Sequence, residues 1–70
     1  MKSLAYYNKE YETILHSSDS EHYKTLQMSA LMSDMEKQYQ IPMLRKEEWE
    51  KDNRTVIALY RKISMSRQFD

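Results

Sequence analysis

The residues best suited to chemistry in this chain are two histidines and an aspartate, His16, Asp19 and His22, which lie close together. Their side chains are of the types that ligate zinc and similar metals. A helical zinc site places its histidines four apart with a glutamate beside the first, as in H-E-x-x-H. That arrangement is absent, and Ser17, Ser18 and Ser20 crowd the interval with side chains that favour turns over helix interior. Two surface histidines flanking a turn is the plainer reading, and no metal or cofactor is expected. Carboxylates pair at Glu10 and Glu12, at Glu47 and Glu48, and at Glu48 and Asp52. Acid–base catalysis by such a pair needs a cleft that separates the two pKa values. A chain of 70 residues offers little room for one, and a solvated helix face explains Glu48 and Asp52 more simply. Cysteine is absent, and no serine sits in a G-x-S-x-G elbow. Neither an enzyme nor a small-molecule substrate is expected.

The remaining chemistry belongs to surfaces. From Asn53 to Gln68 the chain carries Arg54, Arg61, Lys62 and Arg67 and no acid, with Tyr60 interleaved and Phe69 just beyond. Basic groups contact phosphates while aromatic rings stack on bases, so these four cations are the candidate nucleic-acid contacts. A helix C-terminus decorated with positive charge to match its dipole gives the same pattern without a ligand. Tyr23, Leu26 and Ala30 form a short apolar stripe with charge on its flanks. Tyrosine is enriched at interface cores. These three residues are the candidate contacts for a protein partner, and Trp49, of a type that often dominates binding energy, is a secondary one.

The elements that must position these residues follow from composition and periodicity. Glycine is absent and proline occurs once. Hairpin turns and phosphate-cradling loops depend on glycine, so both are disfavoured, and a chain rich in Lys, Glu, Leu, Met and Gln reads as helical. Leu4, Tyr7, Tyr11, Ile14 and Leu15 share an arc of about 100° at helical spacing. They predict a first helix over about residues 3–16, with Tyr6 outside the stripe. Ser18 followed by Glu21 matches a capping box, which starts a second helix at about 19 and runs it to 40. The short connection makes the first two helices an antiparallel hairpin. Pro42 disfavours helix at Ile41 and is expected to make the next break itself. A third helix is read over about 45–66, with Glu47, Glu48 and Glu50 at its start and Arg61, Lys62 and Arg67 near its end, matching its dipole. Trp49, Val56, Leu59, Tyr60 and Ile63 share its apolar arc. Asp52 is the discordant residue there and marks a place where a fresh helix could start, although a continuous helix is the expectation.

The expected architecture is therefore all-α, a small three-helix bundle, with residues 1–70 forming a single helical domain. The second helix departs from the simplest bundle. Met28, Leu31, Met32, Met35 and Tyr39 make one apolar stripe, and Tyr23, Leu26 and Ala30 make another in a different direction. A helix that is apolar on two sides is usually covered on two sides. It is either the middle of the fold or the seat of another molecule.

Charge is dense and balanced, with 11 basic against 11 acidic side chains, which argues against a general polyanion binder and removes a barrier to association. No apolar run approaches the ~18 residues that a membrane span requires. The N-terminal residues lack a signal-peptide core. A cytoplasmic protein without membrane contact is expected. The leading functional expectation is a non-enzymatic protein-interaction module, a regulator, adaptor or small subunit that binds a protein partner or forms a homo-oligomer. The alternative is a nucleic-acid-binding module using the basic half of the third helix. In general shape the chain resembles short helical proteins of bacteria and their phages, a resemblance too broad to lend any residue a role.

Overall fold

The computed structural model of the chain describes residues 2–66. It contains four helices, α1 (Leu4–Leu15), α2 (Glu21–Tyr39), α3 (Glu47–Asp52) and α4 (Arg54–Ser66), and among the described residues no strand. Hydrogen bonds fix the directions of the three long ones. At one end of the α1–α2 pair, the Lys2 ammonium donates to Asp34 at 2.7 Å. At the other end, the Lys24 ammonium donates to the Leu15 carbonyl at 3.1 Å. The two helices therefore form the antiparallel hairpin that the short connection predicts. The Tyr60 hydroxyl meets Glu36, and the Tyr11 hydroxyl lies 2.6 Å from Ser66 Oγ. Hence α4 runs alongside α1 and against α2.

These three helices pack pairwise, while α3 packs on α4 alone. The shared core takes Tyr7, Tyr11 and Ile14 from α1, Met28, Leu31, Met32 and Met35 from α2, and Val56, Leu59 and Ile63 from α4. Each set follows the spacing that places it on one helical face. Leu15 is the exception in α1: it ends the helix and is exposed rather than part of the core.

The expected third helix is two helices. Asn53 leaves helical geometry at φ −131° and ψ 44°. Its side-chain amide donates to the Trp49 carbonyl at 2.8 Å, and its own carbonyl accepts from the Ile57 N–H at 3.0 Å. Asn53 thus closes α3 and opens α4, satisfying backbone groups that a helix break leaves unpaired. The break removes Asp52 from the apolar arc and leaves it exposed.

Both ends of α2 also differ from expectation. Ser20, not Ser18, caps its start: the Tyr23 N–H donates to Ser20 Oγ at 3.2 Å. Its end is made by Gln40, not by Pro42. Gln40 adopts the left-handed conformation at φ 54° and ψ 48°, and the Ile41 N–H returns to the Glu36 carbonyl at 3.2 Å. This is the glycine-type cap carried by a residue with a Cβ, which is strained in that region by about 1–2 kcal/mol. Gln40→Gly is expected to raise stability by about 1 kcal/mol, read as a higher urea midpoint at unchanged slope.

Candidate interaction surface

The two stripes of α2 lie about 200° apart around the helix axis. Opposite faces cannot both reach one core, and the structure buries only the methionine-rich one. Tyr23 stays 50% exposed and Leu26 53%, and Ala30 is exposed as well. Ser33 and Lys37 continue the same outer face toward the end of the helix and are exposed too. On one flank, Ala30 borders an open groove of about 440 Å³ between α1 and α2, walled also by Glu10, Thr13, Gln27 and Asp34. The outer face of α2 is thus a shallow strip, bulky at Tyr23 and Leu26 and low at Ala30 and Ser33. No protein family, no curated protein and no solved structure matches this chain.

Trp49 does not join this strip. It is half-buried on α3 and packs against the core beside α4. The described basic candidates fall in two places. Arg61 is held by Glu50 at 2.5 Å, and Arg45 approaches the same carboxylate at 3.5 Å. Arg54 and Arg61 line one groove together with Glu47, Glu50 and Lys51. Lys62 sits elsewhere, 5.3 Å from the centre of the Tyr11 ring. Arg67 lies outside the described residues. Acids of α3 therefore stand beside two of the three described cations, and the third points to α1.

Among the described residues no three His, Asp or Glu side chains gather as metal ligands. None of the helices there is long and apolar enough to cross a membrane.

Periodicity does not reveal the polar cluster where α1 meets α2. Asp34 accepts from the Lys2 ammonium at 2.7 Å and from the Tyr7 hydroxyl at 3.1 Å. The Tyr39 ring packs edge-on against Tyr7 at 5.8 Å, and its hydroxyl donates to the Lys2 carbonyl at 3.4 Å. The Lys2 hydrogen bond holds Asp34 below the ordinary carboxylate range, and the same bond raises Lys2. Burial, then the hydrogen bond to Asp34, pushes the Tyr7 phenol from 10.0 up to about 12. The folded state therefore keeps the Tyr7 proton more tightly than the unfolded chain does. Its stabilising effect is complete below pH 10.0 and declines as pH rises toward 12. The loss should reach on the order of 2 kcal/mol. Tyr7→Phe is expected to flatten most of this alkaline decline in urea midpoints. Lys2 contributes in the same direction, so a small slope should persist.

Two exposed apolar residues escaped the sequence reading. Met43 and Leu44 stand almost wholly in solvent between α2 and α3, where the third helix was expected to begin. Pro42 gave the usable signal, because the extended backbone that it favours delays the next helix.

Proposed function

We propose that the chain is a small non-enzymatic protein-interaction module, a regulator, adaptor or subunit, that binds its protein partner through the outer face of α2. One observation carries this reading: Tyr23 and Leu26 remain half-exposed on the side of α2 turned away from the core. A folded chain places a large aromatic and a leucine together in water at a cost of about 25 cal/mol for each Å² of apolar surface. A partner that covers them recovers that free energy. Nucleic-acid contact through Arg54, Arg61 and Lys62 is the weaker reading, because Glu50 already neutralises Arg61 and Lys62 sits apart from the groove that Arg54 and Arg61 share.

A benzophenone side chain at position 26 tests the reading in the cell that makes the protein. Illumination should yield a discrete covalent adduct at position 26 and none with the same group at position 55 on α4. Absence of any adduct at 26, or equal adducts at both positions, overturns it.

A further inference from the structure

We infer that the molecule seated on the outer face of α2 is a second copy of this chain, its own α2 antiparallel, with the twofold axis beside Ala30. This rests on the role proposed for the face and names its occupant. Ala30 is the middle residue of the 19-residue α2, so an axis there lets the two helices overlap along their whole length. A twofold contact is self-complementary, and residues equidistant from the axis meet across it.

At the crossing, Ala30 faces the partner's Ala30, and the small side chains let the two backbones approach closely. Leu26 packs on the partner's Ala30 and beside the partner's Ser33, so the bulky part of one strip fills the low part of the other. Tyr23 meets the partner's Lys37, an ammonium over an aromatic ring. Lys37 is the one charged side chain on the strip of Tyr23, Leu26, Ala30, Ser33 and Lys37, and this direction keeps its two copies at opposite ends of the contact, with the helix dipoles opposed. A parallel pair would instead set Lys37 against the partner's Lys37. The balance of 11 basic and 11 acidic side chains leaves no net repulsion between copies.

The chain has no cysteine, so one introduced at the axis reports without interference. A disulfide needs Cα atoms within ~7 Å, which a twofold contact at Ala30 supplies. Ala30→Cys should oxidise to a covalent dimer at least roughly tenfold faster than Thr55→Cys, an exposed position on α4 that only collisions bring together. Equal rates overturn the inference. The adduct at position 26 then separates the two claims. An adduct of twice the chain mass together with fast Ala30→Cys oxidation supports both. An adduct with a different protein, with slow oxidation, overturns the second copy and leaves the interaction module standing. No adduct and slow oxidation overturn both.

Discussion

Ala30→Glu and Ala30→Lys will each stop self-association, and an equimolar mixture of the two variants will restore it. A charge placed on a twofold axis meets its own copy, and like charges brought together cost several kcal/mol. Each variant alone should associate roughly 30-fold or more weakly than the unmodified chain. In the mixture, Glu faces Lys and the repulsion becomes attraction, so heterodimers form. Glu and Lys are both strong helix formers, and position 30 is exposed, so neither change threatens the fold. A partner of any other kind would distinguish the two signs and would gain nothing from the mixture. Native mass spectrometry reads the composition of the dimers directly. This contrast is more informative than removal of Leu26, which would weaken binding of any apolar partner.

The second large effect lies on the opposite face of the same helix. Met35→Ala is expected to leave the chain largely unfolded at room temperature. Met35 is fully buried among the core side chains of α1, α2 and α4. Truncating a buried methionine to alanine costs about 2–5 kcal/mol, depending on how far the cavity collapses. A single core in a chain of this size supplies only ~3–5 kcal/mol of net stability. The variant should therefore lose the cooperative thermal transition seen by circular dichroism. Met65→Ala, at an exposed position of α4, should stay within about 0.5 kcal/mol of the unmodified chain. Equal tolerance of both changes would contradict the core described above.

Much of this was legible in the sequence, for a physical reason. Helical spacing decides which side chains share a face, so the methionine stripe of α2 and the stripe of Tyr23, Leu26 and Ala30 separate on paper. Spacing alone does not decide which stripe the rest of the chain covers. That depends on α1 and α4, whose single apolar faces both turn to the methionine side. The break at Asn53 was only hinted at by Asp52. One charged residue in an apolar arc is equally compatible with a helix end in water, and the amide that closes α3 on the Trp49 carbonyl is a tertiary detail. The left-handed Gln40 had no signal, because glutamine is not a residue type that marks that conformation. The cluster of Lys2, Tyr7 and Asp34 joins residues far apart in the chain, and local patterns carry no information about such pairs. The basic run from Asn53 to Gln68 contains no acid of its own, so its ion partner is invisible locally: Glu50 reaches back from α3 to Arg61.

The pairing of α2 with itself is open to one direct measurement. A single helix pair covers less than the ~1,200 Å² of a standard stable interface, so the dimer should be weak, half-formed at roughly 10–100 µM. Sedimentation equilibrium across that range should show the mass of the unmodified chain rising from 8.6 kDa toward twice that value, while Ala30→Glu stays at the mass of one chain. A mass fixed at one chain for both proteins at every concentration, or an equal rise in both, would contradict the account.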